Sequence, residues 1–188
     1  MKSVSLNVLI KRNLKKHTLL PFIPDNLNEF LRKSKITIDS KKHLCGLDLG
    51  SHKCGLAFSM NANTVAIPHS IVETGRLAPE LCNINAKLNG NISGLIVGMP
   101  LSLSGQLDYS NTKRTIDTLS LASSWIAQNN IPIWFADERY SSIESKSGLK
   151  KNFRNKLIDD ICAMQILQEF LDSLHTRLDH EPGISNLS

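Results

Sequence analysis

A single aspartate inside an apolar, glycine-punctuated run constrains this chain more than any other feature. Residues 44–59 read LCGLDLGSHKCGLAFS: a short apolar stretch carries Asp48 to a turn at Gly50, and a second apolar stretch begins near Gly55. A carboxylate within a strand-forming run is costly to bury unless it is paired or meets a cation. Glycine in a turn permits close approach of another backbone or of a ligand. The spacing G-x-D-x-G-x-x-x-x-G, set by Gly46, Gly50 and Gly55, therefore predicts a hairpin that presents an acid to a groove. Asp48 is a candidate metal ligand; the competing reading is an aspartate that only caps a hairpin turn.

Short apolar runs divided by glycine continue from there. Residues 44–49, 55–59 and 64–70 predict three strands in an antiparallel meander. Residues 78–88 predict a helix, and ISGLIVGM at 92–99 predicts a strand covered on both faces, ended by Pro100. A serine- and glycine-rich loop over 101–108 leads into a helix in which Ile116, Leu119, Ala122 and Ile126 recur at helical spacing. A strand at 131–136 follows and ends in Asp137, Glu138 and Arg139.

The last helix starts near Leu157. Its stripe of Leu157, Ile161, Met164, Leu167, Leu171 and Leu174 is joined by a second of Cys162, Ala163, Ile166 and Phe170, which predicts a largely buried helix. Asp159 lies one turn before the small residues Cys162 and Ala163; a helix approaching a sheet closely there presses Asp159 toward the sheet. The order β-β-β-α-β-α-β-α predicts an α/β fold: a mixed five-stranded sheet, a three-strand antiparallel meander plus two parallel strands, with flanking helices.

The 188 residues suit one domain with appendages. We expect a basic N-terminal extension over 1–42, a domain over 43–175 and a C-terminal tail over 176–188. The net charge of +5 is uneven: residues 1–43 carry ten Lys/Arg against three Asp/Glu, residues 44–174 eleven against twelve. The extension shows no sustained period beyond a short helix near 26–32. Lys2, Lys11, Arg12, Lys15 and Lys16 suit a basic arm for nucleic acid, a solvated tail, or an organelle transit peptide short of the usual serine and arginine. No apolar run approaches the ~18 residues of a membrane span. Cys45, Cys54, Cys82 and Cys162 form no C-x-x-C pair, which predicts reduced thiols in a reducing compartment, the cytoplasm, and no zinc site or disulfide framework.

Acids close the first strand (Asp48), close the last (Asp137, Glu138) and open the final helix (Asp159). Three acids converging from separate elements suit divalent cations, which take oxygen ligands and stabilise the attacking and leaving oxygens of phosphodiester hydrolysis. The bland reading of D-E-R is a surface ion pair or loop cap. A strand period of two sets Ile133, Phe135 and Asp137 on one face, and Trp134, Ala136 and Glu138 on the other. Which face meets Asp48 is open at this stage; Glu138 has the longer reach. Arg139 either forks onto a scissile phosphate or pairs with Asp137. Lys146, Lys150, Lys151, Arg154 and Lys156 form a run without an acid, suited to a solvated loop or to a track for backbone phosphates, which His52 and Lys53 would extend.

Four segments, in this order, carry a family resemblance: GLDLGSHKCGLAFS, GLIVGMPLSLSG, FADERYSS and LIDDICAMQILQEFL. They resemble the first hairpin, the glycine-proline strand end, the acid-rich strand end and the final helix of the YqgF family of pre-16S rRNA nucleases. These are relatives of the RuvC-type Holliday junction resolvases, with a ribonuclease H-like fold. The resemblance implies Asp48, Glu138 or Asp137, and Asp159 as catalytic acids. It also implies magnesium or manganese at Asp48, Glu138 and Asp159, and 5′-end processing of ribosomal RNA precursor, free or in a pre-ribosomal particle, by a monomer or homodimer. The alternatives are a Holliday junction resolvase-like DNA nuclease, which needs a symmetric dimer, and a non-catalytic nucleic-acid-binding factor in ribosome biogenesis. A sugar-kinase or actin-like ATPase would need two such domains, more than this length holds.

The chain departs from the family at several places. Ser51 and Ser142 stand where threonine is usual, Met60 where aspartate is, and Ser102 and Leu103 where asparagine and often methionine are. None is a proposed ligand. The strand ending in GMP carries no carboxylate, although many ribonuclease H-like nucleases have one there, so D-E-R is the local source of the second acid.

Overall fold

The computed structural model describes residues 5–14, 17–36, 41–99, 107–137 and 154–180, with the side chains of its last helix described over 161–177. Five strands form one sheet in the order β3-β2-β1-β4-β5: β1 (His43–Leu49), β2 (Lys53–Met60), β3 (Val65–Glu73), β4 (Ile92–Met99) and β5 (Ile133–Asp137). The first three pair antiparallel, β4 runs parallel to β1, and β5 runs parallel to β4. This is the mixed sheet, an antiparallel meander plus two parallel strands, that the sequence predicts. Its apolar residues sort by the two-residue period of a strand. Cys45, Leu47, Leu49, Leu56, Val97 and Phe135 enter one core, and Leu44, Ala57 and Ile96 enter the other. Every position of β4 is buried, as a parallel strand covered on both faces requires.

Among the described residues the helices are α1 (Leu6–Leu14), α2 (Leu27–Ser34), α3 (Leu77–Lys87), α4 (Tyr109–Ser120), α5 (Ser123–Asn129) and α6 (Arg154–His180). Ile10 of α1, Leu81 of α3, Ile116 of α4 and Ile126 of α5 fill the first core. On the other face α6 crosses β1, β2 and β3, while α2 lies over β4 and β5. No described helix is long and apolar enough to cross a membrane.

Gly46 sets how closely α6 approaches. A Cβ there would lie 2.6 Å from the carbonyl oxygen of Ala163 and 2.7 Å from Cβ of Leu167. The helix runs antiparallel to β1. Five residues beyond Ala163, Gln168 accepts from the Ala66 N–H at 2.8 Å and donates to the Thr64 carbonyl at 3.1 Å. Ala66 pairs with Ser59, whose hydroxyl accepts from Leu44 N–H at the start of β1. Ala163, Ile166, Leu167, Phe170, Leu171 and Leu174 are buried, which merges the two stripes read from the sequence into one.

Three elements differ from expectation. The single helix expected around 116–126 is two. Ser120 Oγ donates to the Ile116 carbonyl, and the backbone tightens to three-residue bonds from Leu121 and Ala122, the alternative that a serine offers a helical backbone. The last helix continues through His180, past the expected start of a tail at 176.

The third difference is the prefix. Its described residues do not hang from the domain: α1 and α2 pack onto the sheet, and Ile10, Leu19, Ile23, Phe30 and Leu31 are buried within the two cores. Asn26 caps α2 by accepting from Glu29 N–H at 2.9 Å, and Glu29 reaches back to Asp25 N–H at 2.8 Å, a reciprocal cap. That backbone bond, with Lys33 beside it, holds the Glu29 carboxyl below its usual pKa. Lys11 pairs with Asp25 at 2.5 Å and Lys33 with Glu29 at 3.0 Å, so part of the basic excess is paired within the prefix.

Candidate active site

Asp48 is the next-to-last residue of β1 and is half-buried. Its partner on β2 is Gly55, and the parallel register that pairs Leu47 with Val97 makes Gly98 its neighbour on β4. Neither neighbour carries a side chain. Both lie on the face that receives α6, because Leu44 and Gly46 of β1, Ala57 of β2 and Ile96 of β4 meet that helix or α2. The carboxylate thus stands on a strand end with bare backbone to either side, where a Cβ would otherwise fill the room beside it.

The turn after Asp48 is held tightly. Gly50 N–H donates to the Lys53 carbonyl at 3.0 Å, and a Cβ on Gly50 would come within 2.7 Å of that oxygen. Thr74 pins the turn from outside: its N–H donates to the His52 carbonyl at 2.9 Å and its hydroxyl to the Gly50 carbonyl at 3.4 Å. Asp48, Gly50, Ser51, His52 and Lys53 line a recess of about 260 Å³. Lys53, two residues before Gly55, shares the strand face of Asp48, so the recess combines one carboxylate with one exposed ammonium.

Asp137 closes β5 opposite Met99. Ile133 and Phe135 belong to the core on the far side of the sheet, whereas Trp134 and Ala136 lie against the core that α6 covers. Asp137 therefore has the parity of the far face. Its charge still reaches α6. Burial first, then the charges of Asp137 and Asp172, push the Glu169 carboxyl above its usual pKa. Sequence reasoning had passed over Glu169, whose only signal was an acid beside the core residue Phe170.

Glu138, Arg139, Lys146, Lys150 and Lys151 lie outside the described residues. Arg154, Lys156 and Asp159 are helical positions of α6 whose side chains also lie outside them. Among the described residues no three His, Cys, Asp or Glu side chains gather as a metal site; of the expected ligands, Asp48 alone falls within that set. Its chemistry fits a hard cation: an oxygen donor, half-buried, beside open backbone.

The model of the Holliday junction resolvase RuvX family matches residues 42–173. The chain belongs to this family. RuvX membership makes it a nuclease, a hydrolase of phosphodiester bonds. Among similar proteins, the "Putative pre-16S rRNA nuclease" of Ehrlichia canis (strain Jake) is 32% identical over 153 residues, covering 78% of this chain and 93% of its own. The protein of the same name from Rickettsia peacockii (strain Rustic) is 30% identical over 157 residues, covering 79% and 96%. Among solved structures, T. thermophilus RuvC in complex with Holliday junction substrate superposes with a TM-score of 0.46 at 10% identity, covering 72% of this chain and 97% of that one. The yeast mitochondrial Holliday junction resolvase Ydc2 gives 0.44 at 12% identity, covering 95% and 96%. The RuvX match begins at residue 42, so α1 and α2 precede the part of the chain that the family model matches.

Proposed function

We propose that this RuvX-family chain is a divalent-metal-dependent endonuclease that processes the 5′ end of ribosomal RNA precursor, with Asp48, Glu138 and Asp159 as its metal-binding acids. The observation that carries the reading is the placement of Asp48 between Gly55 and Gly98, on the face against which α6 packs. From Gly46, two strand residues advance about 6.6 Å to Asp48. From Ala163, which sits on Gly46, four helical residues run back about 6 Å to Asp159. An antiparallel helix of this register supports Asp159 as the partner of Asp48.

The same parity argument selects the second acid. Trp134 and Ala136 share the face of Asp48, and Asp137 has the parity of the opposite side, which supports Glu138 over Asp137 as the second acid. Magnesium or manganese held there would supply charge neutralisation at phosphorus and acidify an attacking water. The chain's own part is to hold three carboxylates on separate rigid elements and to draw in the substrate. Lys53, Arg139 and the run Lys146, Lys150, Lys151, Arg154 and Lys156 are the groups we assign to the backbone phosphates.

Ribosomal RNA precursor, free or within a pre-ribosomal particle, is the substrate supported by the names of the relatives. A four-way DNA junction is the second reading, supported by the family's description, and would require a homodimer in place of a monomer. None of Cys45, Cys54, Cys82 and Cys162 is in a disulfide, which is compatible with a reducing cytoplasmic setting.

The test is cleavage of labelled 16S precursor and of a four-way junction in parallel, with magnesium, manganese or chelator. We expect the wild-type chain to cut the RNA with either metal and not with chelator, and Asp48→Asn and Asp159→Asn to abolish cutting while retaining the circular dichroism of the wild type. A folded variant that cuts at the wild-type rate would remove that residue from the site.

A further inference from the structure

The prefix reaches both elements that bear the site's other acids. Among the described residues β5 is an edge strand, and the outward N–H of Phe135 donates to Oδ1 of Asn7 on α1 at 3.0 Å. Asn7 is fully buried, and its Nδ2 donates to the Pro24 carbonyl at 3.0 Å. One side-chain amide thereby stands in for the missing sixth strand, two residues before Asp137. The second contact lies on the site's face, over the strands that α6 leaves to α2. The Phe30 ring of α2 is so close to β4 that a Cβ on Gly94 would lie 2.8 Å from its Cζ. The ring also stands 5.9 Å from Trp134 of β5 and 5.7 Å, edge-on, from Phe170 of α6.

We infer that the prefix helices are a positioning device for the nuclease site. Asn7 fixes the acid-bearing end of β5 along its edge, and Phe30 completes a three-ring cluster with Trp134 of β5 and Phe170 of α6, whose own centroids lie 6.5 Å apart. Edge strands fray where their N–H groups lack partners, and a buried N–H deprived of its acceptor carries the full cost of desolvation. Asn7 and Phe30 are therefore positioning residues, acting through Phe135, Trp134 and Phe170. The part concerning metal rests on the site proposed above; the part concerning β5 does not.

The experiment uses the full chain and compares Asn7→Ala with Ile10→Val, a change in the same helix that trims the core but keeps the Asn7–Phe135 hydrogen bond. The readouts are hydrogen exchange of the β5 amides and Mn²⁺ affinity by electron paramagnetic resonance. In Asn7→Ala we expect exchange over residues 133–137 to quicken about 10- to 100-fold, the cost of one unpaired buried N–H, and Mn²⁺ to bind several-fold more weakly. Ile10→Val should leave both at wild-type values. Equal exchange in the two variants overturns the inference, and so does faster exchange with unchanged Mn²⁺ affinity. If wild type itself binds no Mn²⁺, the metal site falls and the exchange comparison alone decides the role of Asn7. Phe30→Leu, which keeps most of the buried volume, supplies the same comparison should Asn7→Ala not fold; a wild-type exchange profile there also overturns the inference.

Discussion

The contact between α6 and Gly46 offers the sharpest test of how the site is assembled. In Gly46→Ala the new methyl meets the Ala163 carbonyl oxygen at 2.6 Å and Leu167 Cβ at 2.7 Å. Neither is the free end of a side chain. Relief to an ordinary contact of about 3.4 Å needs the helix or the strand to retreat by about 0.8 Å. Overpacking of a core costs about 1–3 kcal/mol, and an obstacle in helical backbone belongs at the upper end. For a chain of this size about 3 kcal/mol lowers the melting temperature by about 6–12 °C. The same retreat carries residue 159 away from Asp48, and a displacement near 1 Å costs a positioned reaction about 100-fold.

Gly94→Ala is the matched control. Its methyl meets Phe30 Cζ at 2.8 Å and Leu44 Cδ2 at 2.9 Å, both ends of buried side chains and neither of them backbone. We expect a loss of about 1 kcal/mol, about 2–4 °C, and, because the methyl presses on Phe30, a fall in cleavage smaller than in Gly46→Ala. Differential scanning calorimetry and single-turnover cleavage below both melting temperatures measure the pair. Gly94→Ala melting as low as Gly46→Ala would refute the distinction between backbone and side-chain obstacles. Full activity in a destabilised Gly46→Ala would show that α6 does not carry an acid to Asp48.

Three further outcomes are expected. Glu138→Gln should slow cleavage more than Asp137→Asn in single-turnover assays, because Asp137 has the parity of the face opposite Asp48; the reverse order would remove Glu138 from the proposed site. The Glu169 carboxyl is pushed up by burial, by Asp137 and by Asp172, so its charged form weakens the fold above its ordinary pKa. Denaturation should find Glu169→Gln the more stable protein at neutral pH, with the advantage shrinking as pH falls through the raised pKa; an advantage that grows in acid would reverse the sign. If about five phosphates of a single strand contact the run from Lys146 to Lys156, log affinity measured in calcium should fall with log salt at a slope of about −3.5, and replacing Lys150, Lys151 and Arg154 by glutamine should flatten it by about 2 units. An unchanged slope returns the run to solvent.

What the sequence disclosed and what it withheld divide along one physical line. Strands were legible where burial alone dictates residue type: the unbroken apolar run of β4 reads the same in either form, and its limits, Ile92–Met99, are those expected. Asp48 was legible because an acid in such a run needs a reason to be there. The face that Asp137 takes was not, because parity within β5 is local but the identity of the face is decided by α6 and α2, far away in sequence.

The prefix was the least legible, and for the strongest reason. Its buried residues Asn7, Ile10, Leu19, Ile23 and Phe30 follow no period, since they serve two cores and a sheet edge instead of one face of one helix. Asn7 is the extreme case: a polar residue in a basic segment, buried by partners 17 and 128 positions away. Charge counting read that segment as an arm or tail because a count of ten Lys/Arg against three Asp/Glu does not show that Lys11 and Lys33 pair with Asp25 and Glu29. Catalytic chemistry demands particular residue types at particular spacings and so leaves motifs. Holding the frame around a site demands only that some side chain meet some backbone group. That leaves no motif, and Asn7 against Phe135 shows how such a contact becomes visible only when the chain is folded.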